Sequence, residues 1–348
     1  MISSVNIRTL ADDLYAWLPQ ERGWGLANCG LLVSGRTALW IDAPYDRALA
    51  GRWLAESEAR LPAGVTVDRV VVTHANGDHL WGAVVLPDAE VVSTRHATDN
   101  AHFEPTPEQL HQLVQGLDAE TPVGWYLKEH FGRYDWSATP SVEPTMLVDG
   151  ELEFRVGPHP VHLIGLPSAH TTGDLIVHLP AQDTVFSGDV VFASSPEQPG
   201  DHAVHWAGPL SGVLAGCERV LATGAGTIVP GHGPVLDRAG VRAHMDYLGY
   251  VRERAHERHR AGVPSPQAAR EIIAEGRFPE LGLPERLAVT VATEYRHLDG
   301  GAERSALEAM GEVAQIADEL RRPQIPAQVP AQIPVQRDGS SVVSDLTV

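Results

Sequence analysis

Apolar residues in this chain gather first into short unbroken runs. Residues 31–33 (LLV) and 38–41 (ALWI) read as strands joined by a turn at Gly35, the second ending on Asp42. Over residues 47–60 the spacing becomes helical, with Leu49, Trp53 and Leu54 near one face. Residues 70–72 (VVV) form an apolar strand that delivers the stretch THANGDHLWG, residues 73–82, so the predicted order is strand, donor-rich loop, helix. After a further strand at Val91 and Val92 the texture changes. From about residue 102 to 144 the chain is rich in aromatic residues (Phe103, Trp125, Tyr126, Phe131, Tyr134, Trp136) and broken by prolines, which predicts an insertion of short helices. Strand patterns resume at 152–156, 161–164, 175–178 and 184–186, followed by a helix over 209–221, a strand at 228–229 and the turn-rich VPGHGPV. Residues 238–322 are helical in pattern. Residues 323–348 open with proline and glutamine about every fourth position, which favours an extended, flexible tail.

Length and charge exclude more than they name. With 348 residues the chain can bury a large core, as one domain with additions or as two or three. Its 45 acidic against 26 basic residues give a formal charge of −19, which argues against nucleic acid or an anionic membrane as partner, since both reward clustered Lys and Arg. The N-terminus lacks a basic segment followed by an apolar run, and no stretch approaches the ~18 apolar residues of a membrane span, so a cytoplasmic location is expected. Cys29 and Cys217, the two cysteines, are expected as buried, unpaired thiols in a reducing compartment.

Four places combine imidazole or carboxylate donors with nearby Gly or Pro: His74 with Asp78 and His79, His170 in LPSAHTTGD, Asp189 in FSGDVVF, and His232 in VPGHGPV. Such donors on loops at strand ends suit zinc and similar cations, and a catalytic site keeps one coordination position open. In this order and at this spacing they resemble the metallo-β-lactamase superfamily of hydrolases, over about residues 10 to 236. The resemblance implies an α+β fold, the αββα four-layer sandwich, over residues 1–237 with the insertion inside it, then a helical C-terminal extension (238–322) and the tail (323–348). It implies that His74, residue 76 and His170 hold one metal, that Asp78, His79 and His232 hold a second, and that Asp189 bridges them. Zinc is expected, one or two ions per chain, with iron or manganese as alternatives.

Asn76 departs from the family pattern, which has histidine there. An amide oxygen is a neutral, weaker donor than imidazole for a borderline-soft cation, so the first site should lose affinity while the second keeps all its ligands. Two readings follow. Either the centre has decayed into a binding module, or one tight metal suffices and Asn76 is a weak ligand or substrate contact. The survival of Asp78, His79, His170, Asp189 and His232 favours activity. A mono-zinc subclass of the β-lactamases also carries an Asn in this motif, at the position matching His74.

The expected chemistry is scission of an ester, lactone or thioester by water acidified on the metal, with Asp78 as the catalytic residue that orients the water or returns its proton to the leaving group. The expected partner is a hydrophobic small molecule or acyl thioester, and an oligomer is allowed. A polyketide thioesterase or cyclase is the alternative within the fold, and a non-catalytic metal-stabilised module the alternative outside enzymes. Trp24, in the loop GWG, is expected either to cover the groove or to pack in the core, and His205 to contact substrate or to lie solvated on its loop with His202. Asp42 either braces the site or merely ends its strand, while His256 and His259 fall on a charged, solvated helix face.

Overall fold

The unbroken apolar runs belong to strands covered on both sides. In the computed structural model, which describes residues 5–322, seven strands form one sheet in chain order: β1 (Val5–Ala11), β2 (Leu14–Pro19), β3 (Cys29–Ser34), β4 (Thr37–Ile41), β5 (Arg69–Val71), β6 (Glu90–Thr94) and β7 (Met146–Val148). β1 to β4 are an antiparallel meander, and β4 to β7 run parallel. The second sheet holds β8 (Glu151–Val156), β9 (His159–Gly165), β10 (Leu175–Leu179), β11 (Thr184–Phe192) and β12 (Thr227–His232), in the spatial order β12-β11-β10-β9-β8. Only the β11–β12 pair in it is parallel.

Period-two geometry then decides which core each side chain enters. Leu32, Leu39, Val71 and Val92 meet Val161, Leu163, Val177 and Val229 in a core between the two sheets. Their chain neighbours Leu31, Trp40 and Val70 point the other way, into the core shared with α1 (Arg47–Glu58). Trp53 of α1 stacks on Trp40 at 5.8 Å, and the Trp40 indole donates to Ser57 Oγ at 2.9 Å. Asp46 starts this helix by accepting the Leu49 N–H at 2.8 Å.

The loop after β5 leads into α2 (Gly77–Leu80), and α3 (Arg95–Asn100) follows β6. The aromatic insertion contains α4 (Pro107–Gly116) and α5 (Pro122–Phe131), and two of its prolines, Pro107 and Pro122, stand at first-turn positions, where a missing N–H costs nothing. α6 (Leu210–Ala222) lies against β11, placing Val213, Cys217 and Val220 in one core with Ile176, Val185 and Ile228. The outer layers are therefore helical and the inner two are sheets: the αββα sandwich. Both cysteines are buried and unpaired.

α7 (Arg238–Arg260), α8 (Ser265–Ala274), α9 (Leu287–Asp299) and α10 (Ala306–Arg321) make up the C-terminal helical segment, and they add Leu248, Val251, Val291, Val313 and Ile316 to that same outer core. α10 packs against α5 of the insertion. No helix among the described residues is long and apolar enough to cross a membrane. The Pro/Gln-rich tail, 323–348, lies outside the described residues.

Three strands exceed what the apolar pattern predicts. β1 and β2 form an N-terminal hairpin whose outer strand is mostly exposed or half-buried, so it lacks an apolar signature, and β7 is only three residues long. The strand expected at 184–186 continues to Phe192 with all nine residues buried. Gly188, at φ +52°, shifts its register without ending it.

Candidate metal centre

The loop after β5, the loop between β9 and β10, and strands β11 and β12 bring the predicted donors together. His74, His170 and Asp189 form one group and Asp78, His79 and His232 another, each with its ligand atoms within 4.8 Å of one another. Asp189 stands between them: Oδ1 lies 3.1 Å from His79 Nε2, and Oδ2 lies 3.4 Å from His170 Nε2 and 3.2 Å from His232 Nε2. Asp78 Oδ2 is 3.4 Å from His232 Nε2.

Three of these atoms, His74 Nε2, His79 Nε2 and Asp189 Oδ1, are buried and make no hydrogen bond. A buried polar atom without a hydrogen bond costs about 1–3 kcal/mol, and although His79 Nε2 and Asp189 Oδ1 stand within ion-pair distance of each other, three such atoms converging on one spot call for a shared partner. His170 adds a conflict. Burial pushes its pKa down to about 4, so the ring is neutral at pH 7 with one N–H, yet Nδ1 is 2.8 Å from the Val204 carbonyl and Nε2 is 2.7 Å from Asn76 Oδ1. A cation on Nε2 resolves it, with Nδ1–H donating to Val204. The residues present fit a metal site.

A second layer of groups aims the ligands. Asp42 Oδ2 accepts from His79 Nδ1 at 2.8 Å and from Thr73 Oγ1 at 2.9 Å, and its Oδ1 accepts the Thr73 N–H at 2.7 Å. With its own proton spent on Asp42, Thr73 Oγ1 is left to accept from His74 Nδ1 at 3.0 Å. One carboxylate thus keeps Nδ1–H on both candidate ligands and turns both Nε2 atoms toward the centre. Asp42 itself sits at φ +60°, in the left-handed region that Asp and Asn tolerate better than other side chains. Asp174 shapes the loop after His170 by accepting the Thr171 N–H at 3.0 Å and hydroxyl at 2.6 Å. Gly231 has no alternative, because a Cβ there would stand 1.8 Å from Asp189 Oδ1. Asn28 clamps the same turn, donating from Nδ2 to the Pro230 and Gly233 carbonyls, both at 2.9 Å.

Charge follows geometry. Burial would raise the Asp189 carboxyl, but His232, His79 and His170 outweigh it and hold its pKa well below the usual range. Burial would depress His79, but Asp189, Asp42 and Asp78 outweigh that and hold it well above an ordinary imidazole. His74, buried and facing His79 and His170, is driven well below. Asn76 is buried beside His170, and it also hydrogen-bonds the carboxylate of Glu104, whose pKa is pushed up to about 7 by burial and by Asp78. Glu104 belongs to the insertion. Nothing in its local sequence distinguishes it from other acids.

The centre forms the floor of a recess of about 690 Å³, part of it open to solvent. Asn76, Asp78, His170, Asp189 and His232 line its base. Its walls are largely apolar: Trp24, Tyr45 and Phe192 from the sandwich, Leu110, Leu127 and Phe131 from the insertion, and Leu307 and Met310 from α10. The aromatic insertion therefore covers the recess, and the C-terminal helices supply part of its wall.

Among the other sequence candidates, Trp24 lines the recess while also donating from Nε1 to Tyr126 Oη at 2.7 Å, so groove cover and core packing coincide in one residue. His205 is placed differently from the expectation. It is fully buried, outside the recess lining, with its backbone N–H donating to Thr290 Oγ1 of α9 and its ring nitrogens without a hydrogen bond, and it is not solvated. His202 is buried as well, 3.1 Å from Tyr247 Oη of α7. His256 and His259, expected on a solvated face, reach from α7 to Glu294 and Asp299 at 2.6 and 2.7 Å. In all four cases helices distant in sequence supply the partners.

The model of the metallo-beta-lactamase superfamily matches residues 22–235, and the chain belongs to that superfamily. Among solved structures, a metallo-beta-lactamase from Pontibacter korlensis is similar at 15% identity with a TM-score of 0.51, covering 71% of this chain and 99% of that one. The DIM-1 metallo-beta-lactamase exposed to ceftazidime is similar at 15% identity and a TM-score of 0.51, covering 72% and 99%. At that identity the likeness is one of fold. No curated protein matches this chain.

Proposed function

We propose that this chain is a metal-dependent hydrolase that cleaves an ester-like bond (lactone, thioester or ester) in a small hydrophobic substrate. The observation that carries the reading is the set of orphaned ligand atoms, His74 Nε2, His79 Nε2 and Asp189 Oδ1, buried at the base of an apolar recess. His74 and His170 would hold one ion with Asn76 as a weak third donor, Asp78, His79 and His232 a second, and Asp189 would lie between them. Zinc suits this set of imidazoles and carboxylates, with iron or manganese as substitutes. When bound, such a cation supplies Lewis acidity and makes a nucleophile available from water at neutral pH.

The chain's own residues do the rest. Asp78, half-buried at the recess floor, orients the attacking water and carries its proton to the leaving group. Asp42 and the Val204 carbonyl hold the ligand rings in place. The walls exclude water and hold the substrate's apolar body, which supports substrates with aromatic or aliphatic bulk. Lactones and thioesters suit the site better than amides, because their leaving groups need less protonation. The five aromatic rings of the lining (Trp24, Tyr45, Phe131, Phe192, Trp206) favour, as a second reading, a thioesterase or cyclase acting on a polyketide chain. The buried thiols support a reducing, cytoplasmic setting, and the charge of −19 a partner other than nucleic acid.

The test is turnover of a panel of aryl esters, aryl thioesters and lactones by zinc-loaded protein, with Asp78→Asn alongside. Activity that disappears on chelation, returns with zinc and falls by about 100-fold or more in Asp78→Asn supports the reading. Protein that holds its metal yet turns over nothing on the panel is a metal-stabilised binding module instead.

A further inference from the structure

We infer that Arg286 is an anion-recognising residue of the recess, and that the substrate is a hydrophobic molecule bearing one carboxylate. Its apolar body would lie against Trp24, Phe131 and Met310, and its scissile acyl group over the histidines and aspartates of the floor. The scissile group rests on the hydrolase reading; the anion does not.

Arg286 is 2% exposed and lines the recess. Its guanidinium carbon stands 4.2 Å over the Trp24 ring. A buried arginine is ordinarily paired, because an uncompensated charge in a low-dielectric interior is costly. Here no carboxylate among the described residues stands within ion-pair distance. The one hydrogen bond its side chain makes among the described residues, Nη1 to the His202 carbonyl, is long at 3.4 Å, and Nε is buried without a partner. Guanidinium carries five N–H donors in a planar fork, so most of its capacity is unspent.

The neighbouring acid is occupied elsewhere. Glu285 accepts from Tyr126 Oη at 2.9 Å, and Tyr126 in turn accepts from the Trp24 indole at 2.7 Å. The cation–π contact with Trp24 engages the guanidinium charge but uses none of its N–H groups as hydrogen-bond donors. The backbone also works to hold Arg286 in place. Leu283, which begins this short turn, adopts φ +50°, a conformation that costs a bulky side chain about 1–2 kcal/mol and persists only where surrounding structure enforces it. Glu285 feels the Arg286 charge without bonding to it, and a buried guanidinium whose N–H groups stay unspent beside an apolar wall marks where an anion is received. The planar fork matches a carboxylate, two oxygens to two N–H groups.

The test is calorimetric titration of zinc-loaded full-length protein with 2-naphthoate and with 2-naphthamide, a pair of one shape that differs in charge. Wild type is expected to bind the naphthoate tighter by about 30-fold or more, and Arg286→Met, which keeps the stem packed on Trp24, to abolish the difference. Equal affinity for the two probes in wild type overturns the proposal. So does a preference that survives in Arg286→Met, since the carboxylate would then be sitting on zinc. Should the Met variant fail to fold, Arg286→Lys decides: a loss of about 10-fold or more in naphthoate affinity supports the fork, and an unchanged affinity overturns it. Arg286-dependent binding in a protein with no turnover on the ester panel would retire the hydrolase reading and leave this one standing.

Discussion

Asp42→Asn isolates how much of the metal centre depends on a residue that touches no metal. The carboxylate accepts three hydrogen bonds, from Thr73 N at 2.7 Å, Thr73 Oγ1 at 2.9 Å and His79 Nδ1 at 2.8 Å. Asn preserves volume, tolerates the φ of +60°, and keeps one oxygen for the Thr73 amide, so the fold should survive. It offers N–H groups where Oδ2 stood. His79 Nδ1 must then accept, which moves its proton to Nε2, the atom aimed at Asp189 and the metal. Binding a cation there requires returning the proton to Nδ1 against the Asn amide. That forfeits a charge-assisted hydrogen bond of about 1.5–3 kcal/mol. The expected loss is about 10–100-fold in affinity of the ion held by Asp78, His79 and His232. Competition against a chromophoric zinc chelator at fixed pH measures it. Thr73→Val, which removes the hydroxyl's links to His74 and to Asp42 but leaves Asp42 on His79, should weaken the other ion more than this one. An Asp42→Asn protein whose zinc affinities both stay within about twofold of wild type would show that the ligand rings are positioned by packing alone, and the tautomer argument would be wrong.

Asn76→His should strengthen the weaker of two zinc-binding steps by about 10-fold or more, read by elemental analysis after titration; an unchanged weaker step would mean that the amide oxygen already suffices. Gly231→Ala pushes a methyl to within 1.8 Å of Asp189 Oδ1, and both metal content and melting temperature should drop, the latter by the equivalent of about 1–3 kcal/mol. Acidification should act unevenly, because protons and cations compete for the same nitrogen. His79 is held above the ordinary imidazole pKa by Asp189, Asp42 and Asp78 against its burial, so affinity at its site should decline from neutral pH downward. His170 is depressed to about 4 by burial, so proton competition at its nitrogen should begin only as pH nears that value. Zinc competition titrations between pH 5 and 8 in wild type and His79→Ala would separate the two, and parallel profiles would contradict the assignment.

The parts of this fold that were legible in the sequence share one physical property: their signal is local. Residues 31–33, 38–41 and 70–72 stand out because both faces are buried, with Leu31 in one core and Leu32 in the other. The donors His74, Asp78, His79, His170, Asp189 and His232 stand out because the four places that hold them each lie beside a strand and a glycine or proline. The hairpin of β1 and β2 was illegible because its outer strand is exposed at the sheet edge, and β11 because Gly188 reads as a terminator while acting as a bulge. His202 and His205 look like loop histidines until α7 and α9, more than 30 residues later in the chain, close over them.

The same distinction explains why Asn76 could be flagged as a departure but not interpreted. Its two partners come from opposite directions: His170 from the loop before β10, Glu104 from an insertion with no pattern of its own. Arg286 arrives from farther still, in a turn between α8 and α9. In this chain the candidate donors stand beside the strands, where spacing exposes them. Glu104 and Arg286, which border the recess, are delivered by segments added to the sandwich. Losing one imidazole at position 76 removes a ligand from the local pattern, and the acid and the cation that border the recess enter from outside that pattern. A substitution at Arg286 should therefore change which substrate is accepted while leaving metal content intact, one at Glu104 should reach the centre through Asn76, and one at Asp42 or Gly231 should lower metal content.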